Sequence, residues 1–194
     1  MSLVSLLTRR PLIVALAGPN GAGKSTFFDA HLAQAGLHFV NADVLALSLG
    51  GSPYLAADLA DRLRRELVGM RESFIFETVF SDPAGDKLAF LKSAETAGYT
   101  VLLIYVGVAN AEMSNERVAM RAAAGGHDIP AQKLYDRYPR SLMNLKHALT
   151  TLSNVWVYDH SDLDRGYVLV ASRANRESVA SYGKIPDWLH PLLP

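Results

Sequence analysis

The sequence predicts an α/β domain in three layers, with a five-stranded parallel sheet between two layers of helices. Three observations predict it. Continuously apolar runs of strand length alternate along the chain with segments of helical length and period. The apolar runs end in glycine-rich or polar clusters. The hydrophobic content of 49% in 194 residues suits one domain, residues 1–194, with a sizeable core. Strands that alternate with helices pair in parallel through right-handed crossovers.

Residues 11–17 are the first strand, apolar throughout and therefore buried on both faces. Residues 18–23 are a glycine-rich turn, and 24–35 read as a helix ending near Gly36. Residues 37–40 form a short second strand, followed by Asn41, Ala42 and Asp43. Residues 54–70 are helical, with Leu55, Leu59, Leu63 and Leu67 on one face at i,i+4 spacing. Residues 73–76 are a third strand that delivers Glu77 and Thr78 at its end. A helix at 83–97 stops at Gly98. Residues 100–108 are a fourth strand rich in β-branched side chains. A helix at 112–124 stops at Gly125-Gly126. Pro130 opens a longer helical segment that Pro139 is expected to interrupt or kink. Residues 155–158 are the fifth strand, and 167–171 offer a sixth at the sheet edge. The tail from Tyr182 carries no readable pattern.

Composition narrows the function classes. Lysine plus arginine and aspartate plus glutamate number 19 each, so a globally basic surface is absent and nucleic acid is not the expected partner. The chain has no cysteine, which excludes disulfides and thiolate chemistry and fits the cytoplasm. No apolar run approaches the roughly 20 residues a membrane helix needs, so no membrane association is expected. Arg9-Arg10 and the apolar run after them have the order of a signal peptide, but that run leads directly into a phosphate-binding motif.

That motif is Gly18-Pro19-Asn20-Gly21-Ala22-Gly23-Lys24-Ser25, which fits G-x-x-x-x-G-K-[ST] with a strand before it and a helix after. Its backbone N–H groups and the positive end of the following helix suit the phosphates of ATP. Lys24 is the cation for the β- and γ-phosphates. Ser25 offers a hydroxyl to Mg²⁺, and Thr26 supports the α-phosphate. Ligands of parallel sheets bind at the carboxyl ends of the strands, which places the motif, Asp43 and Glu77-Thr78 on one rim. Asp43 fits a base that orients an acceptor hydroxyl and takes its proton, or a helix N-cap. Glu77 fits a contact to substrate hydroxyls, a hold on a metal-bound water, or a strand-end cap. Thr78 fits an acceptor contact or the same capping role.

Arg117 and Arg121 lie four apart on one helix face, ahead of the Gly125-Gly126-His127 segment. Arg137 and Arg140 follow in a locally basic stretch. Paired arginines before a Gly-Gly hinge suit a helical lid over ATP, at about residues 110–150, that stabilises charge on the transferring phosphoryl group. A solvated basic face is the plainer alternative. Arg137 and His127 are further substrate-contact candidates, His127 fitting a hinge or packing role equally well.

Taken together, residues 17–26 (AGPNGAGKST), Val40-Asn41-Ala42-Asp43, Phe76-Glu77-Thr78, Arg117-x-x-x-Arg121, Gly125-Gly126-His127, Ile129-Pro130, 137–145 (RYPRSLMNL) and Val157-Tyr158-Asp159 resemble the zeta-toxin family of P-loop kinases, in its chromosomal "predicted ATPase" branch. The resemblance runs from about residue 12 to 160. It implies ATP- or GTP-dependent phosphorylation of a UDP-linked amino sugar, such as UDP-N-acetylglucosamine, at a ring hydroxyl. It further implies Asp43 as base, Lys24 on the phosphates, Arg117 and Arg121 at the transition state, and a small antitoxin protein as partner. Two other readings remain open at this point. A nucleic-acid end kinase would use the same loop, base and arginines, and Tyr135 and Tyr138 lie among the arginines as aromatic rings on which the bases of a strand could stack. A nucleotide-dependent switch would bind ATP with no acceptor at all.

Overall fold

The computed structural model describes residues 3–49, 53–125 and 129–194. Strands β1 (Leu12–Ala17), β2 (His38–Val40), β3 (Phe74–Thr78), β4 (Thr100–Gly107), β5 (Val155–Asp159), β6 (Val168–Arg173) and β7 (Ala180–Ser181) form one sheet in the order β2-β3-β1-β4-β5-β6-β7. The first five pair in parallel, as the alternating pattern requires. The edge strand expected at 167–171 exists as β6 but runs antiparallel to β5, and β7 extends the sheet in the same sense. The five-stranded parallel sheet is thus as expected, and only the sixth strand at the edge differs, by its direction. No helix separates β5 from β6, so the chain turns back directly, and a direct return can only be antiparallel.

The helices are α1 (Leu3–Leu7), α2 (Lys24–His31), α3 (Ala42–Leu49), α4 (Pro53–Gly69), α5 (Asp86–Thr96), α6 (Ala111–Ala123) and α7 (Ala131–Thr151). Strand alternation splits each apolar run between two cores. Ile13, Ala15, Ala17, Phe74, Phe76, Leu103 and Tyr105 face the layer built by α4, α5 and α7. Leu12, Val14, Leu16, Ile75, Leu102 and Ile104 face Leu6 of α1 and Phe27 of α2. Among the described residues, no helix is long and apolar enough to cross a membrane.

Three local expectations are corrected. Asp43 lies in the first turn of α3, a helix that the short polar stretch after β2 did not announce. On α4 the stripe Leu55, Leu59 and Leu63 is exposed, at 61%, 39% and 37%, and only Leu67 of the four is buried. The inward face is instead Ala56, Ala60 and Arg64. The Arg64 guanidinium lies over the Phe76 ring, 4.9 Å from its centroid, so small side chains bring the helix close to the sheet. Finally, α7 runs without a break through Pro139. Pro139 is exposed, so the carbonyl freed one turn earlier, on partly exposed Tyr135, can be met by water.

The tail is part of the core. Trp188 is buried against Gly107, where an added Cβ would lie 2.3 Å from its ring, and its Nε1 donates to Asp159 Oδ1 at 2.8 Å. Trp188→Ala is expected to lower stability by about 3–5 kcal/mol, the usual cost of emptying a large aromatic site. Urea unfolding of the two proteins measures this, and a loss below about 1 kcal/mol would mean that the tail packs only loosely.

Candidate functional site

The site forms where β1 hands the chain to α2. Gly18 has φ 143°, and a Cβ there would sit 2.1 Å from the carbonyl oxygen of Val106 on β4, so only glycine lets the loop leave the sheet at this point. Gly23 precedes α2 with φ 89°, and no side chain caps the helix. Its first N–H groups are therefore left for an anion.

The outer side of the loop is held by the segment after β5. His160 Nδ1 lies 2.8 Å from the Ala22 carbonyl oxygen, and the Tyr167 hydroxyl donates to the Gly23 carbonyl at 2.7 Å. The two rings stack with centroids 4.0 Å apart. A trans peptide points its N–H opposite to its C=O. Pinning these two carbonyls outward therefore turns the N–H groups of Gly23 and Lys24 toward the inside of the loop. On the α6 side, Ser114 Oγ donates to the Asn20 carbonyl at 2.7 Å.

Glu77 is the centre of the polar contacts. Register places it beside Leu16 of β1, two residues before the loop begins at Gly18, and pairs Phe76 with Val40. Glu77 Oε1 lies 3.6 Å from Lys24 Nζ, while Oε2 accepts from Ser25 Oγ at 3.1 Å and from Asn41 Nδ2 at 2.9 Å. Lys24 is buried and also donates to the Pro19 carbonyl at 3.0 Å. Burial lowers the pKa of Lys24; Glu77 and Asp43 oppose that shift, and Arg121 adds to it. Asn41 also uses Oδ1 to accept from the N–H groups of Asp43 and Val44, at 2.8 and 3.3 Å. Asn41 is thus the N-cap of α3, and the exposed Asp43 carboxylate is left free of that role. Asp43, Glu77 and Thr78 line a cleft of about 430 Å³ together with Asp61, Arg64 and Lys87.

The Ser25 hydroxyl beside the Glu77 carboxylate fits Mg²⁺, which takes one or two protein oxygens and completes its shell with phosphate and water. Among the described residues no cluster of three acidic, histidine or cysteine ligands exists.

Comparison with known proteins adds the following. The AAA domain family profile matches residues 13–136, which include the loop, Asp43, Glu77 and both α6 arginines. The chain belongs to the AAA domain family. Comparison with curated protein sequences gives no match. Among solved structures, the AvrRxo1-ORF1:-ORF2 complex with ATP is similar at TM-score 0.69 and 20% identity, over 91% of this chain. This chain spans 63% of the length of that one. The PezAT chromosomal toxin–antitoxin system of Streptococcus pneumoniae is similar at TM-score 0.61 and 17% identity, covering 86% of this chain and 76% of that one. The Pnkp1/Rnl/Hen1 RNA repair complex follows at TM-score 0.58 and 18% identity, covering 75% and 49%. At these identities the likeness is one of fold, that of the P-loop kinases.

In this AAA domain the expected residues separate into groups. Gly18 to Thr26, Asp43, Glu77 and Thr78 share one rim. Thr78 Oγ1 accepts from the Phe80 N–H at 3.0 Å, which holds the tight turn after β3 where Phe80 has φ 60°. Arg117 donates to the carbonyls of His160 and Ser161 at 2.8 and 3.0 Å. The side chain of Arg121, exposed, makes no hydrogen bond or ion pair among the described residues, yet its charge reaches Lys24. Arg137 lies half-buried on α7 and is brought to none of these groups by a hydrogen bond or ion pair among the described residues. His127 lies outside the described residues. Sequence reasoning missed His160 and Tyr167. His160 follows β5 at the carboxyl rim, so the rule that picked out Asp43 would have found it; Tyr167 carries no such signal.

Removing the outer clamp should loosen the loop without emptying the core. His160→Ala and Tyr167→Phe are each expected to weaken ATP binding about 5–10-fold, the scale of one lost buried hydrogen bond. Calorimetric titration of Mg-ATP checks this, and unchanged affinity in both variants would show that the loop holds its shape alone.

Proposed function

We propose that this chain is a P-loop kinase: an ATP-dependent phosphotransferase acting on a small-molecule hydroxyl in the cytoplasm, with residues 1–194 as one unit. The observation that carries the reading is the single Glu77 carboxylate that joins Lys24, Ser25 and Asn41, with Asn41 in turn fixing the helix that presents Asp43. A phosphate cation and a metal-side hydroxyl thereby lie against the carboxylate that also lines the cleft of the free carboxylate base.

In the proposed reaction the loop holds the triphosphate of ATP, or of GTP, through its N–H groups and Lys24. Ser25 and Glu77 would hold Mg²⁺, which when bound would neutralise phosphate charge. Asp43 orients the acceptor hydroxyl and accepts its proton. The acceptor oxygen bonds to the γ-phosphorus as the bond from that phosphorus to the β–γ bridging oxygen breaks, and ADP leaves with that oxygen. Positioning and charge stabilisation carry most of the catalysis in such a loose transition state. Arg121 is free to meet the phosphoryl oxygens. Arg117 would reach them only by leaving the carbonyls of His160 and Ser161, a change that suits closure of the α6 part of the 110–150 segment as a lid, since α7 is packed into the core.

The finer reading is a zeta-toxin-like kinase whose acceptor is a UDP-linked amino sugar, with Thr78, Arg137 and His127 as further substrate contacts. AvrRxo1-ORF1:-ORF2 is a complex and PezAT a toxin–antitoxin system, which supports adding a small protein antitoxin as partner.

Lys24→Ala is expected to reduce transfer by about 10²–10³-fold or more, because the γ-phosphate loses its protein cation. Arg121→Ala should lower kcat by about 10³-fold with little change in ATP affinity. Asp43→Asn should bind Mg-ATP normally and transfer poorly. The assay follows ADP and phosphorylated product with UDP-N-acetylglucosamine for all four proteins side by side. Equal product from wild type and Asp43→Asn would remove Asp43 from the mechanism. Phosphorylation of an oligonucleotide end or another metabolite instead would keep the kinase and discard the sugar nucleotide.

A further inference from the structure

We propose that Asp159 is a positioning residue of the nucleotide site: together with Ser161 it holds Arg117 in a resting place beside the phosphate loop and so sets how readily that arginine passes to the γ-phosphate of ATP. The inference rests on the kinase reading above and adds a residue that acts through its arginine.

Arg117 is rooted at the loop. A Cβ added to Gly21 would lie 3.1 Å from the Arg117 Cβ, so the side chain starts against the loop itself. Only its tip is drawn aside. It donates through Nη1 to the His160 carbonyl at 2.8 Å and through Nη2 to the Ser161 carbonyl at 3.0 Å. Two neutral carbonyls do not balance a guanidinium charge. The balancing charge is Asp159, the last residue of β5. Burial lowers the pKa of Arg117, and Asp159 is the group that most opposes that shift, ahead of Tyr167. No ion pair joins the Asp159 carboxylate to any cation among the described residues, so its charge is left to act on Arg117 through the field between them.

The same carboxylate orders the carbonyl pair. Asp159 Oδ1 accepts from Ser161 Oγ at 2.6 Å, which ties the chain across His160. The His160 N–H donates to the Gly107 carbonyl at 2.9 Å, and its ring Nδ1 lies 2.8 Å from the Ala22 carbonyl oxygen. Held at its N–H and at its ring, His160 has little freedom to turn its carbonyl from Arg117. Asp159 is itself anchored by the tail, through Trp188 Nε1 at 2.8 Å from the same Oδ1. Tail, strand end and carbonyl pair thus form one support for the guanidinium. Arg117 leaves that support when a stronger anion competes for it. The γ-phosphate of ATP is such an anion, and ADP lacks it.

The test is a double-mutant cycle on the full chain. A non-hydrolysable ATP analogue and ADP, each with Mg²⁺, are titrated by calorimetry into wild type, Asp159→Asn, Arg117→Ala and the double variant. Asparagine keeps an acceptor oxygen for Trp188 and Ser161 and removes the charge. We expect the ATP analogue to bind Asp159→Asn about 3-fold more tightly than wild type, the scale of a partly exposed charge interaction. ADP affinity should stay the same, and the gain should vanish when residue 117 is alanine. Ser161→Ala frees the carbonyl pair without touching the charge. It should shift the ATP analogue in the same direction, again only with Arg117 present, which keeps a readout should Asp159→Asn fold poorly. An equal gain with and without Arg117 would mean that the charge acts on the nucleotide directly, and it overturns the proposal. So does unchanged affinity for the ATP analogue in Asp159→Asn, whether or not its melting temperature falls, because a purely structural role has that outcome. The measurement needs no phosphoryl transfer. Coupling between Asp159 and Arg117 therefore supports the role even if the kinase assay above fails, and a working kinase without that coupling discards the role of Asp159 alone.

Discussion

The site depends on one requirement: a buried lysine must have a carboxylate within reach. Lys24 opens α2 and is buried by the loop before it, so its charge is unfavourable unless an acid lies alongside. Glu77 meets that need only because β3 pairs with β1 in a register that sets it beside Leu16, two residues before the loop. The same carboxylate then holds Ser25 and Asn41, and Asn41 starts α3. Three strands and two helices are tied to one side chain. A slip of β3 by one residue would turn Glu77 to the opposite face of the sheet and undo all of these contacts at once.

The central strands and the phosphate loop were legible because their signals are local. A continuous apolar run, a glycine pattern and a lysine-serine pair are read within a few residues, and the carboxyl-end rule then gathers Asp43 and Glu77 onto the same rim. What could not be read came from packing. The leucine stripe of α4 gave a clean period, yet Ala56, Ala60 and Arg64 face the sheet, because close approach to Phe76 favours small side chains and a flat guanidinium. The direction of β6 was hidden because a polar loop of unclear length does not say whether the chain crosses over or turns back. The clamp of His160 and Tyr167 joins residues more than 130 positions from the loop, beyond any local pattern.

Polar residues of α7 connect the acceptor cleft to the core. Ser141 Oγ donates to the Val79 carbonyl at 2.8 Å, and Asn144 Nδ2 donates to the carbonyls of Phe80 and Asp82 at 3.0 and 3.1 Å. The turn after β3, which carries Thr78 at one end and Asp82 at the other, is therefore fixed from behind by the helix that follows α6. Tyr105 completes this support with a buried hydroxyl 2.9 Å from Ser141, where burial pushes its pKa well above the ordinary tyrosine value. One rigid helix thus braces the floor beneath the candidate acceptor, while α6 braces the phosphate loop through Ser114.

The two ends of the sheet are alike in a respect that concerns the chain's neighbours in solution. β2 offers three residues and β7 only two. An unpaired strand edge is a template onto which another polypeptide can add, and its adhesiveness grows with the length of its open row of N–H and C=O groups. Here the long, apolar strands are all interior, and the rows left open at the borders are too brief to hold a foreign strand in register. A strongly apolar parallel sheet, which would otherwise be prone to sheet-to-sheet aggregation, is in this way kept from polymerising through its edges.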